Sequence, residues 1–357
     1  MKELILHGSK IESHILIEKG ILSKVPDIVL PKEKEEEIKI CIITDTNVKD
    51  LYLNEIKESF KKRGIIVSCH IIEAGEEYKT LDTVSDIYNT LVSNGIDRND
   101  MIIALGGGVV GDIAGFAAAT YLRGIKNLVQ IPTTLLAQVD SSVGGKCGVD
   151  LLQGKNLVGA FRQPNQVIID VNVLDSLTED IYAAGIAEII KYGCIWDSSI
   201  LDEVSKADFK ENIEDTVIKC VDIKRKVVEE DETETGLRRI LNFGHTIGHG
   251  AEKLGNYKDL SHGEAVSVGI VAALKMGEKM GITVLGATER IGKILQQYEL
   301  PITLNYNIED VYKTVLSDKK KKGNSIAFIY MKDYGKAEIV MTPIDELKEI
   351  MKVLREE

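Results

Sequence analysis

MIIALGGGVVGDIAGFAAAT, residues 101–120, is the stretch on which the fold turns. Met101 to Leu105 is a short unbroken apolar run, as a strand covered on both faces reads. Three glycines end it. From Val109 onward small and apolar residues continue with almost no polar stripe, so a buried helix follows. Gly106-Gly107-Gly108-Val109-Val110-Gly111 therefore satisfies G-x-G-x-x-G at a strand-to-helix turn. Glycine lets the backbone approach a pyrophosphate, and the helix N-terminus offers free N–H groups and a positive dipole end. Alone, the pattern also fits a tight turn beneath a packed helix; the strand–turn–helix setting favours a dinucleotide. No acidic residue closes the next strand, which runs into Gln130-Ile131-Pro132, so Asp45 after the first strand is the better partner for ribose hydroxyls.

The same alternation continues on either side. Residues 39–44 and 64–72 read as strands with a helix at 53–63 between them, and 80–95 reads as a helix with Thr80 as N-cap and Gly95 as stop. NLVQIP, 127–132, is a further strand. Apolar strands alternating with helices make a parallel sheet covered on both faces. Beyond residue 175 the texture changes: 178–196, 198–231, 236–254, 261–282 and 285–298 all read as helices. A hairpin at 325–331 and 336–341 and a last helix at 344–357 complete the chain. The expectation is an α/β Rossmann-like dinucleotide-binding domain over 1–175 and a mainly α-helical metal- and substrate-binding domain over 176–357.

At 357 residues the chain suits two cores better than one. Its formal net charge of −12 argues against nucleic acid and against an anionic membrane, both of which need basic surface. An anionic ligand must then be met by a local group of Lys and Arg. The five cysteines are widely spaced and form no CxxC pair, which reads as reduced thiols in a cytoplasmic protein. MKELILHGSK carries charge throughout, unlike a signal peptide, and no apolar run reaches the ~18 residues of a membrane span.

Three of the six histidines, His245, His249 and His262, fall within eighteen residues. On a helix His245 and His249 share a face, a spacing that by itself nominates both as zinc ligands. A catalytic zinc keeps three protein ligands and an open position. Glu188, Glu252 and Glu264 are the carboxylates at hand, and spacing does not choose among them. Residues suited to an anion gather over 120–162: Arg123, Thr133, Thr134, Lys146, Lys155, Asn156 and Arg162. Lys224, Arg238, Arg239 and Asn242 lead into the histidine helix. Fixed cations near a metal suit phosphate or carboxylate.

Seven segments, taken in order, resemble the 3-dehydroquinate synthase family of sugar phosphate cyclases. They are GEEYKTL (75–81), GGGVVGDIAGFAAATYLRGI (106–125), IPTTLLAQVDSSVGGKCGVD (131–150), GKNLVGAF (154–161), AEIIKYG (187–193), DETETGLRRILNFGHTIGH (231–249) and SHGEA (261–265). The resemblance implies NAD, one zinc or cobalt ion, and a phosphorylated sugar acid, 3-deoxy-arabino-heptulosonate 7-phosphate, as substrate. NAD oxidises a ring hydroxyl, phosphate is eliminated, NADH returns the hydride, and ring opening with aldol closure gives 3-dehydroquinate. The resemblance also implies roles by position. Glu188, His245 and His262 bind the metal, and His249 serves the phosphate or a proton instead. Glu234 is an acid/base. Lys146, Lys224 and Arg238 meet the substrate's carboxylate and hydroxyls, with Asp140 beside them. Arg123, Asn156, Asn242 and Lys320 of the Asp318-Lys319-Lys320 run meet the phosphate side, Arg123 from the neighbouring subunit of a homodimer. NAD meets Asp45, Glu76, Lys79, Gly107, Gly108, Val109, Asp112, Thr133, Thr134 and Lys155.

Two other enzymes fit parts of this pattern. A 2-deoxy-scyllo-inosose synthase would share GEEYKTL and GHTIGH, but resembles the chain less at GGGVVGD and SSVGGK. A metal-dependent polyol dehydrogenase of the same fold has no need of Lys146, Lys155, Arg123 and Arg238. A non-catalytic NAD-binding regulator has no need of the metal set.

Overall fold

The computed structural model describes residues 1–30, 38–317, 321–322 and 324–355. It resolves into two compact units, Met1–Leu177 with Val217–Thr233, and Thr178–Thr216 with Glu234–Glu357.

In the first unit the strands are β1 (Lys2–His7), β2 (Glu12–Ile17), β3 (Ile40–Asp45), β4 (Val67–Ile72), β5 (Met101–Gly106) and β6 (Asn127–Pro132), then a hairpin of β7 (Lys146–Leu151) and β8 (Gly154–Phe161), and β9 (Gln166–Ile169). Seven of them form one sheet in the order β1-β2-β9-β6-β5-β3-β4. Only β1 and β2 pair antiparallel in it. Its helices are α1 (Val25–Val29), α2 (Asn54–Lys61), α3 (Leu81–Ser93) and α4 (Gly108–Thr120). Side-chain alternation divides the core. Ile40, Ile42, Met101, Ile103 and Leu105 pack with Ile56 and Phe60 of α2. On the other face Cys41, Ile43, Ile102 and Ala104 pack with α3 and α4 through Ile87, Leu91, Ile113 and Ala117. Thr80 caps α3 by accepting a hydrogen bond from the Thr83 N–H. The strands expected from the sequence do not include β1, β2, β9 or the hairpin; β9 has four residues, and Gly148, Gly154 and Gly159 interrupt the hairpin. β4 flanks β3 on one side and β5 flanks it on the other, so strand order reverses between β3 and β5. Asp45 ends β3 and Gly106 ends β5, which places both at the switch point where such sheets bind ligands.

The second unit contains α5 (Glu179–Ile195) and α6 (Ser199–Val204), while α7 (Ile213–Glu230) runs mostly within the first. It continues with α8 (His245–Leu254), α9 (His262–Lys279), α10 (Ala287–Gln296) and α11 (Ile308–Ser317). A small antiparallel sheet of β10 (Lys321–Lys322), β11 (Ser325–Asp333) and β12 (Lys336–Pro343) precedes α12 (Ile344–Ile350). The helix expected over 198–231 is broken after Val204, where the polar residues of Ser205-Lys206-Ala207-Asp208 favour a turn. The one expected over 236–254 is broken at Gly244, whose φ of 79° is left-handed. The Cys41, Cys69, Cys147, Cys194 and Cys220 thiols form no disulfide. Among the described residues no helix is long and apolar enough to cross a membrane.

Glycines bring α5, α8 and α9 together. A Cβ on Gly263 would overlap the Ala184 backbone of α5, and one on Gly269 would overlap the Gly244 carbonyl. A Cβ on Gly248 would stand 2.6 Å from the Ala265 carbonyl oxygen. Gly269→Ala should therefore destabilise the second unit by about 3 kcal/mol, the upper range for overpacking. The urea midpoint reads this; an unchanged midpoint would mean the helices separate at no cost.

Candidate active site and metal centre

α5, α8 and α9 each bring one donor to a common point. Glu188 lies midway along α5, while His245 and His262 are the first residues of α8 and α9. Glu188 Oε1 is 3.4 Å from His245 Nε2 and 3.3 Å from His262 Nε2. His245 Nδ1 lies 3.0 Å from the Phe243 carbonyl oxygen and donates to it, so the neutral ring turns the Nε2 lone pair toward the carboxylate. Two acceptors face each other at that distance only with a cation or proton between them, and a buried carboxylate with two imidazoles is a donor set for a divalent metal. Burial works against ionising Glu188, but Lys191 and His245 hold its carboxyl well below the usual carboxylate range. Lys191, one turn along α5, is itself buried and paired with Glu188. Burial lowers the pKa of His245 against the pull of Glu188. Burial also opposes charge on His262, but Glu188 and Glu252 outweigh it and push that imidazole up to about 10. The negative field that draws a proton there also draws a dication.

Helical spacing pairs His249 with His245, but the structure groups them differently. His249 Nε2 faces Glu252 Oε2 at 3.9 Å, and His249, Glu252 and His262 form a second convergent group. Of the carboxylates that spacing leaves open, Glu264 completes a capping box, its Oε2 accepting from the Ser261 N–H at 2.7 Å. Glu252 lies on the far side of His262, with Oε1 3.6 Å from His262 Nδ1. Sequence reasoning overlooked Lys191; its i+3 spacing from Glu188 on an apolar helix is the signal that marks it.

The turn before α8 carries three more expected residues. Asn242 Nδ2 donates a short hydrogen bond to Glu234 Oε1, and Arg238 is buried in the turn Leu237–Asn242. Glu234, Asn156 and Arg123 have φ of 60°, 55° and 65°, left-handed values that strain a residue bearing a Cβ. Such strain gathers at functional sites, where the surroundings over-determine it.

In the first unit Gly107 is the N-cap of α4 and provides no side chain to meet the first N–H groups, which leaves them for an anion. Val109 follows in the first turn. The Thr133 N–H donates to the Gly106 carbonyl at 3.0 Å, tying β6 to the loop, and Thr134 Oγ1 accepts from the Ala137 N–H. Asp45 Oδ1 takes both the Asn47 and Val48 N–H groups at 2.9 Å, while burial pushes its pKa up. Lys79 is buried at the centre of a charged cluster. Its Nζ donates to Asn156 Oδ1 at 2.7 Å and lies 2.6 Å from Asp112 Oδ2 and 3.8 Å from Glu76 Oε1. Lys155 meets the same Glu76 oxygen at 3.6 Å. Burial disfavours the Lys79 charge, but Asp112 and Glu76 hold its ammonium above the ordinary lysine value. Asn156, expected at the substrate phosphate, thus stands among residues expected around the dinucleotide. Asp150, which sequence reasoning passed over, holds this turn by accepting from the Asn156 N–H at 2.7 Å.

Lys224 Nζ donates to the Asp140 carbonyl at 2.6 Å and pairs with its carboxylate. Lys146 is exposed at the start of β7. Arg123 is exposed in the turn Tyr121–Arg123, where Arg98 donates to the Leu122 carbonyl through Nε and Nη2 at 3.1 and 2.5 Å. Arg162 is not available to an anion: it is buried and donates to the carbonyls of Ile125, Lys126 and Gln163. Lys320 lies outside the described residues.

A glycine loop at a sheet's switch point and a carboxylate–dihistidine centre define a metal- and dinucleotide-dependent enzyme. Family models of the N-terminal and C-terminal parts of 3-dehydroquinate synthase match residues 69–184 and 185–321. A 3-dehydroquinate synthase of Clostridium beijerinckii is 43% identical over 350 residues, 97% of this chain and 99% of the relative. The chain belongs to the 3-dehydroquinate synthase family. A solved 2-deoxy-scyllo-inosose synthase, complexed with carbaglucose-6-phosphate, NAD+ and Co2+, superposes with a TM-score of 0.85 at 26% identity, covering 98% of this chain and 99% of its own. The 2-epi-5-epi-valiolone synthase of Streptomyces hygroscopicus, solved with NAD+ and Zn2+, has the same fold, with a TM-score of 0.88 at 22% identity over 98% of each chain.

Proposed function

We propose that the chain converts 3-deoxy-arabino-heptulosonate 7-phosphate to 3-dehydroquinate and phosphate. The observation that carries the reading is its 43% identity, over nearly its whole length, to a 3-dehydroquinate synthase, against 26% to the solved scyllo-inosose enzyme.

The first unit holds NAD. The N–H groups of Gly107, Gly108 and Val109 meet its pyrophosphate, Asp45 meets a ribose, and Thr133, Thr134 and the Lys79 cluster surround the rest. Glu188, His245 and His262 hold zinc or cobalt. When bound, NAD takes and returns a hydride, and the metal draws charge from the substrate's vicinal hydroxyls. Lys146, Lys224 and Arg238 are fixed cations for the carboxylate and hydroxyls, and Asp140 aims Lys224. Asn242 orients Glu234, which moves a proton. His249 and Lys320 serve the phosphate end, while Asn156, held by Lys79, stands with the dinucleotide cluster. One ligand held through several steps needs many fixed polar contacts, which these residues supply. In a homodimer Arg123 serves the neighbouring copy's site. Its strained, outward turn supports this, as do the exposed Leu157 and Phe161 of the same unit. Five cysteines without disulfides suit a cytoplasmic location.

The test is phosphate release from the heptulosonate phosphate beside glucose 6-phosphate. Release from the first alone is expected; release from the second alone would assign the chain to the inosose type. A charge-assisted hydrogen bond is worth about 1.5–3 kcal/mol, so Lys146→Ala should lose at least about tenfold in kcat/KM. Wild-type cyclisation by that variant would make Lys146 a surface residue only.

A further inference from the structure

α8 carries a carboxylate that the roles above leave unused. Glu252 sits one turn beyond His249, and its side chain is 1% exposed. A carboxylate buried so deeply is kept where fixed partners meet it. Its two oxygens face two different histidines. Oε1 is 3.6 Å from His262 Nδ1, and Oε2 is 3.9 Å from His249 Nε2. The opposite nitrogen of His262, Nε2, faces Glu188 at 3.3 Å. His262 is therefore strung between two buried carboxylates, one for each ring nitrogen. His245 is anchored in the same sense, with Nδ1 on the Phe243 carbonyl and Nε2 toward Glu188. Glu264, the other carboxylate near the start of α9, is already committed to its capping box.

We propose that Glu252 is the positioning residue of this centre. Its Oε1 accepts the Nδ1 proton of His262, which leaves Nε2 as the metal-binding nitrogen, and its Oε2 holds His249 at a set distance from the metal. An anionic acceptor behind a ligand histidine fixes the ring's tautomer and raises its basicity, which a carbonyl does less strongly. The proposal rests on Glu188, His245 and His262 as the metal ligands.

The test uses the full-length, Co2+-loaded protein. In Glu252→Gln the shape of the side chain stays and its charge goes. Competition with a chelator should show Co2+ affinity falling about 10- to 100-fold, and the visible Co2+ absorption bands should shift. Unchanged affinity and unchanged bands overturn the proposal. A second measurement needs no variant. In zinc-loaded wild-type protein, 15N spectra of labelled histidine should show His262 protonated at Nδ1 and metal-bound at Nε2. Metal on Nδ1 overturns the proposal even where the glutamine variant does not fold. A wild-type chain that gives no Co2+ bands, or keeps them in His245→Ala, overturns the ligand set itself and the proposal with it.

Discussion

His262→Ala should empty the metal centre and abolish turnover. Glu188, His245 and His262 come from three separate helices, and the Nε2 atoms of both histidines face Glu188 Oε1. A tight catalytic zinc needs about three protein ligands, so a site left with two binds weakly at best. A metal held by these three residues would supply the Lewis acid that acidifies the substrate's hydroxyl, and the variant would lack it. The His262 side chain is 35% exposed and begins its helix, so truncation to Ala opens no large cavity. Loss of metal should thus come without loss of fold. Metal content and phosphate release on one preparation check it, and full metal occupancy in the variant would remove His262 from the ligand set.

His249→Ala should do the reverse, keeping the metal while slowing the chemistry by about 100-fold or more, the scale of a lost acid or base. Its ring lies beside the centre, 5.2 Å from the His245 ring centroid, but its Nε2 faces Glu252 rather than Glu188. It is 44% exposed, open to a ligand in a way that His245 at 10% is not. Metal and NAD should both still bind the variant. A metal-free His249→Ala protein would show that the i, i+4 spacing was the better guide to the ligands.

The two cases show what the sequence makes legible. The strand, glycine loop and helix at 101–120 stand out because each is encoded locally, by apolar continuity, by glycine and by periodicity. Which histidines converge is not local. It depends on how closely α5, α8 and α9 approach, and Gly263, Gly248 and Gly269 permit that approach only because Ala184, Ala265 and Gly244 lie opposite. Spacing along α8 alone therefore pairs His245 with His249. Arg162 was open to misreading for a related reason: whether a guanidinium meets a ligand or the chain's own carbonyls depends on what folds around it. The return of residues 217–233 to the first unit, carrying Lys224 to Asp140, is likewise invisible in a helical stretch read by itself. The family resemblance names residues such as Lys146 and Glu234 because it carries position by position what no local pattern contains.

The central claim is that hydride leaves and returns within one turnover. It is tested most directly by supplying NAD far below the heptulosonate phosphate while following phosphate and NADH together. The account predicts phosphate release from all of the substrate with no NADH accumulating. Phosphate limited to the NAD supplied, with NADH rising alongside, would contradict it and make the chain a dehydrogenase.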